Sequence, residues 1–141
     1  MIPFLVVALG SALGGLLRFA ITESTLAIDS VLPFGTILIN IFGSFLIGFF
    51  GTLTLGGSRF AASPNVRLFV MVGICGGFTT FSSFSLQTFD LARGGAFGRA
   101  LLNVGLSLML CLAAVALGHH LGQRGSHAYS IAQTQKEEFT G

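Results

Sequence analysis

Long apolar stretches separated by short charged intervals organise this chain. A helix needs about 20 apolar residues to cross the hydrocarbon of a bilayer. Four stretches meet that length: Pro3 to Ile21, Phe34 to Leu55, Val66 to Phe89 and Phe97 to Leu121. The charges fall between them. Glu23 and Asp29 follow the first, Arg59 and Arg67 flank the gap after the second, Asp90, Arg93 and Arg99 bracket the gap after the third, and Arg124 follows the fourth. Pro33 and Pro64 stand at the starts of the second and third stretches, where proline suits a helix N-terminus. The pattern predicts an all-α integral membrane protein with four transmembrane helices. It divides into a channel-sized helical domain, 1–122, and a polar, disordered C-terminal tail, 123–141, with Lys136, Glu137 and Glu138.

Composition agrees with the pattern. Of the 141 residues, 52% are hydrophobic and only 9% are charged, against about 25% charged in an ordinary soluble domain. So few charges cannot coat a water-facing surface of this size; lipid is the solvent that fits. The net charge is +2 and the seven basic residues form no run, which argues against a nucleic-acid partner. Cys75 and Cys111 lie in separate apolar stretches without C-x-x-C spacing, so neither a zinc site nor a redox pair is indicated. Lys and Arg are absent before Arg18 and no small-residue cleavage site follows, so the first stretch is expected to be a retained helix rather than a signal peptide.

The basic residues also bear on orientation. With four spans both termini fall on one side, and that side carries Arg59, Arg67, Arg124 and Lys136; the other carries Arg18, Arg93 and Arg99. Four against three gives the positive-inside rule almost no purchase. A chain so weakly biased is able to insert both ways, and two opposed copies are then able to pair.

Polar residues inside the spans carry the candidate chemistry. In the first, Gly10, Gly14 and Arg18 repeat at four-residue spacing on one face. Glycines so spaced admit a close helix neighbour, and Arg18 either snorkels to the interface or lines water, where it would concentrate anions. The second carries Thr36, Asn40, Ser44 and Gly48 as one polar stripe on an otherwise apolar helix. An amide at membrane depth needs a hydrogen-bond partner; Asn40 is either interhelical glue or a donor facing a pore.

The third span reads Gly76-Gly77-Phe78-Thr79-Thr80-Phe81-Ser82-Ser83-Phe84-Ser85 at its centre. Paired glycines followed by paired threonines propagate a helix poorly, which predicts a break near mid-membrane. Freed carbonyls there need partners that lipid does not offer, and such breaks recur at ion sites. Phe81 and Phe84, three apart, share a face. Their ring edges are electropositive, and Ser82, Ser83 and Ser85 add hydroxyl donors. In the fourth span Asn103, Ser107 and Cys111 recur every four residues, as glue or as pore wall, and His119 and His120 close it. All five acidic residues lie outside the spans. No nucleophile–base pair, phosphate loop or metal-ligand cluster is visible, so an enzyme is not expected.

These strings resemble the CrcB/Fluc fluoride channels. The resemblance covers roughly Leu5 to Leu121 and rests on Gly76-Gly77-x-Thr-Thr-Phe-Ser-Ser-Phe, on Gly35-Thr36-x-x-x-Asn40-x-x-Gly43-Ser44-Phe45-x-x-Gly48, and on Gly10-x-x-x-Gly14-x-x-x-Arg18. It implies an antiparallel, dual-topology homodimer with two pores in the cell membrane, exporting fluoride passively and protecting the cell against its toxicity. It implies that Phe81 and Phe84 turn ring edges to fluoride and that Asn40 is the pore amide. Ser82, Ser83 and Ser107, with Thr36, would line the polar track, and Arg18 would stand by the vestibule. The carbonyls of Gly76 and Thr79 from both subunits would hold a structural sodium ion at the dimer axis. Three departures stand out: Ser83 where threonine is common, Asn103 where tyrosine is common and Cys111 where some members have a small hydroxyl residue. The nearest rival reading, a small dual-topology multidrug exporter, would need a carboxylate within a span, and this chain has none there. A purely structural membrane protein would have no use for Asn40 beside hydroxyl-flanked phenylalanines.

Overall fold

The computed structural model describes residues 1–27, 29, 31–55 and 60–140, with side chains described as far as 124. Among them all regular secondary structure is helical. α1 spans Ile2–Thr25 and α2 spans Phe34–Leu53; α3, Pro64–Arg67, passes directly into a π-helical segment, Leu68–Cys75, and then into the single turn α4, Gly76–Phe78; α5 spans Phe81–Arg93 and α6 spans Phe97–Thr140. Four helical stretches are long and apolar enough to cross a membrane: Ile2–Thr25, Phe34–Leu53, Pro64–Arg93 and Phe97–Arg124.

The boundaries have local causes. α1 runs a turn beyond the expected Ile21 because the hydroxyls of Thr22, Ser24 and Thr25 donate back to the carbonyls of Arg18, Ala20 and Ile21, at 2.7–3.0 Å, and keep the polar turn helical. The Asp29 carboxylate accepts from the Gly35 N–H at 3.0 Å, setting an anion at the N-terminus of α2. At the other end of α2, Arg67 donates to the Gly51 carbonyl at 3.1 Å and to the Thr54 hydroxyl, a cation on the helix's last carbonyls. α5 and α6 are joined by a tight turn in which Gly95 has φ of +80°, a conformation only glycine adopts without strain. The backbone of α6 continues as helix to Thr140, where the sequence suggested a disordered tail over 123–141; beyond Arg124 the side chains of that tail are not described.

Glycines hold the helices together. α1 lies along the π segment and α4, running in the same direction. A Cβ on Gly10 would stand 2.5 Å from the Phe69 carbonyl oxygen, one on Gly14 would collide with the Ile74 carbonyl, and one on Gly77 would meet the Ser11 carbonyl at 2.5 Å. α2 and α6 pair in the same manner, Gly48 against the Val115 carbonyl and Gly118 against that of Phe45. With no hydrophobic drive between helices in lipid, close backbone approach of this kind is the main source of packing energy. The large side chains accordingly turn outward: on α1, Leu5, Leu9, Leu13, Leu16 and Phe19 are exposed while Gly10 and Gly14 are buried. The small interior holds Ile37, Ile39, Cys75, Phe78, Ala100 and Ala114.

These contacts also fix the two ends of the bundle. The start of α1, the end of α2 and the start of α3 share one end, along with His119 of α6, whose Nδ1 lies 2.6 Å from the Thr52 hydroxyl. The α1–α2 connection, the end of α5 and the start of α6 share the other.

Candidate functional site

The interruption between α4 and α5 is the centre of the site. Thr79 has ψ of 155° and Thr80 has φ of −147° and ψ of 104°, so two residues run extended between helices. Asn40 of α2 meets them. Its Nδ2 donates to the Thr80 carbonyl at 3.1 Å, and its Oδ1 accepts from the Thr80 N–H at 2.8 Å. One amide thereby satisfies the Thr80 N–H, which neither helix serves, and adds a second donor to the carbonyl that opens α5. The Thr80 hydroxyl then caps α5, accepting from the Ser83 N–H at 3.1 Å and donating to the Ser83 hydroxyl at 2.9 Å. Gly43, one turn beyond Asn40, makes room for the Thr79 methyl.

The same bonds release two carbonyls. In an unbroken helix the Thr80 N–H would serve the Gly76 carbonyl and the Ser83 N–H would serve that of Thr79. Here the first turns to Asn40 and the second to the Thr80 hydroxyl. Gly76 has open space where a side chain would stand. Two hard oxygen donors without helical partners suit a cation such as sodium. Among the described residues no cluster of His, Cys, Asp or Glu could hold a metal.

A cavity of about 580 Å³ opens beside the interruption, between α2, the π segment, α5 and α6. Asn40, Ser44, Gly76, Thr79, Phe81, Phe84, Ser107 and Cys111 line it, with Cys75, Met71 and aliphatic side chains completing the wall. The structure therefore brings together six residues singled out in the sequence: Asn40, Gly76, Thr79, Phe81, Phe84 and Ser107. The Phe81 and Phe84 rings lie 5.6 Å apart at 44°, and Phe81 is 78% exposed. A ring that open, next to polar groups, is available to something outside this chain.

The other candidates stand elsewhere. Thr36 is buried on α2 and Arg18 is half-buried on α1, and neither lines the cavity. Ser82 and Ser83 sit in the first turn of α5 around the Thr80 hydroxyl, outside the cavity wall.

The fourth-helix wall is tied to α5. Asn103, fully buried, donates through Nδ2 to the Thr88 hydroxyl at 2.8 Å, and Thr88 donates to the Phe84 carbonyl at 2.7 Å. The Asn103 Oδ1, the Ser107 hydroxyl and the Gln87 Oε1 are buried without a protein partner, which leaves places for water or a small polar guest. Sequence reasoning passed over Thr80 and Thr88 as site residues and left Ser44 in the stripe without a role. For Thr80 a signal existed: a threonine three residues before Ser83, at the start of a helix, is a cap pattern. For Thr88 there was none, because its partner is fifteen residues away on another helix.

Comparison with known proteins bears on this arrangement. A family model described as "CrcB-like protein, Camphor Resistance (CrcB)" matches residues 5–119. The chain is 56% identical over 135 residues to the fluoride-specific ion channel FluC of Methylobacterium radiotolerans, covering 95% of this chain and 94% of that one. It is 55% identical over 136 residues to the fluoride-specific ion channel FluC of Gluconobacter oxydans, with 95% and 94% covered. It is 55% identical over 120 residues to that of Methylocella silvestris, with 82% and 89% covered.

Proposed function

The chain belongs to the CrcB-like family, and from that premise we propose that it is a fluoride-selective ion channel of the cell membrane, exporting fluoride passively and protecting the cell against fluoride toxicity. The observation that carries the reading is the cavity at the helix interruption, where a membrane-depth amide, a hydroxyl and two phenylalanine rings share one wall. It is a multi-pass membrane protein, and passive conduction rather than catalysis is its activity.

Fluoride holds its hydration water tightly, so a pore must offer donors of similar strength without trapping the ion. Asn40 has two amide N–H donors, one spent on Thr80. The second is free for an anion. Ser107 has a hydroxyl without a protein partner, and Phe81 and Phe84 contribute ring edges. All are neutral, which keeps binding weak enough for exit. Ser82, Ser83 and Thr36 extend the polar path beyond the cavity, and Arg18 raises the local anion concentration at its mouth. An inside-negative potential drives the anion outward, at about 2.3 kcal/mol per charge for each 100 mV.

The working unit in this reading is an antiparallel, dual-topology homodimer. The near balance of basic residues and the 78% exposure of Phe81 support it, since an open groove beside an exposed ring asks for a second copy. The interruption then lies near mid-membrane, and the Gly76 and Thr79 carbonyls of two copies hold a structural sodium ion. The freed carbonyls support that role.

The test is fluoride efflux from liposomes containing the purified protein, with chloride efflux measured alongside. Rapid fluoride loss without chloride loss is expected. A folded protein that releases neither ion would reduce the family likeness to one of fold.

A further inference from the structure

A second cavity, of about 420 Å³, lies where α2 ends and α3 begins, lined by Ala62, Pro64, Arg67, Leu68, Met71 and Val72. Five of these six are apolar, and Arg67 is the one charge. Its guanidinium is held rather than loose: both donors of Nη1 are committed, one to the Gly51 carbonyl at 3.1 Å and one to the Thr54 hydroxyl. Among the described residues Nε and Nη2 keep three N–H donors in a planar fork, the geometry that pairs with phosphate. No carboxylate of this chain stands nearby among the described residues. Glu23, Asp29 and Asp90 all belong to the opposite end of the bundle, whereas this end carries Arg67 and Arg124. Val72 of the cavity wall is 51% exposed, so the apolar lining is open at its edge.

We propose that this cavity binds an anionic phospholipid, one acyl chain lying along Pro64, Leu68, Met71 and Val72 and the phosphate resting on the free edge of Arg67. The chemistry at each depth matches: apolar lining within the spanning segment, and a fixed cation at the level of the helix ends where phosphates lie. Among the described residues this end carries cations and no carboxylate, which favours an anionic lipid over a zwitterionic one. The site rests on the membrane location and not on conduction, so it stands or falls separately from the fluoride reading.

The test uses the full-length protein in detergent, titrated with phosphatidylglycerol or phosphatidylcholine while its thermal unfolding and bound lipid are followed by melting and native mass spectrometry. Phosphatidylglycerol should raise the melting temperature and remain bound, and phosphatidylcholine should do neither. Arg67→Gln should abolish the shift, Arg67→Lys should keep part of it, and Ala62→Phe should abolish it with Arg67 intact by filling the groove. An equal shift in all variants would mean diffuse surface charge and would overturn the site. So would Arg67→Gln or Ala62→Phe weakening dimerisation with no dependence on phosphatidylglycerol, since the cavity would then be occupied by a second copy of the chain.

Discussion

Asn40 and Thr80, forty residues apart, are joined by two hydrogen bonds in opposite senses, 3.1 Å from the amide to the carbonyl and 2.8 Å from the backbone N–H to the amide oxygen. The side chain acts as a short piece of backbone, serving the residue that caps α5 and whose N–H has left α4. Asn40 thus holds the interruption open and keeps one amide N–H in hand. The two readings offered for it in the sequence, glue and pore donor, are compatible in one residue.

Replacing Asn40 with alanine leaves the buried N–H of Thr80 without a partner, at about 1–3 kcal/mol, and takes one of two donors from its carbonyl. Asn40→Ala is expected to melt well below the parent and to lose fluoride flux. Asn40→Asp keeps the acceptor but not the donor and should recover part of the stability and little of the flux. Thermal melts beside liposome efflux would check both; an alanine variant that melts with the parent would mean that the paired bonds contribute nothing.

Phe81→Ile and Phe84→Ile keep apolar bulk while deleting the electropositive ring edge. Both variants should elute and melt like the parent, yet conduct fluoride at least tenfold more slowly. Undiminished efflux from both would remove the rings from the conduction path.

Gly14 and Gly15 are adjacent but differently placed. A Cβ on Gly14 collides with the Ile74 carbonyl, whereas one on Gly15 meets nothing within 4 Å. Gly14→Ala should destabilise by about 1–3 kcal/mol through overpacking, and Gly15→Ala should be neutral or slightly stabilising, up to about 1 kcal/mol, by stiffening the helix. Unfolding measured in one detergent for the two variants gives the comparison, and equal effects would contradict the close packing of α1 on the π segment.

Removing sodium tests the freed carbonyls. Exchange of sodium for a bulky organic cation during purification should lower the melting temperature and the fluoride flux together, and restoring sodium should return both. Indifference to the exchange would leave the Gly76 and Thr79 carbonyls to water.

Runs of about 20 apolar residues have only one satisfactory state in lipid, so the four membrane helices were legible in the order of residues alone. Gly76-Gly77 and Thr79-Thr80 propagate a helix poorly, and α4 ends at Phe78 with α5 starting at Phe81; the four-residue glycine spacing of α1 falls on its close contacts. Which polar residues share a cavity depends on how the helices pack. Thr36, Asn40 and Ser44 form one stripe in sequence, but Thr36 is buried away from the cavity while the other two line it, because α6 and α5 close on only part of that face. Tertiary structure also decided the partners of Asn40, Thr88 and Arg67. A hydrogen bond between helices depends on their rotation and offset, and those come from glycine contacts such as Gly10 with Phe69 and Gly118 with Phe45, set by steric fit between distant segments that no local pattern encodes.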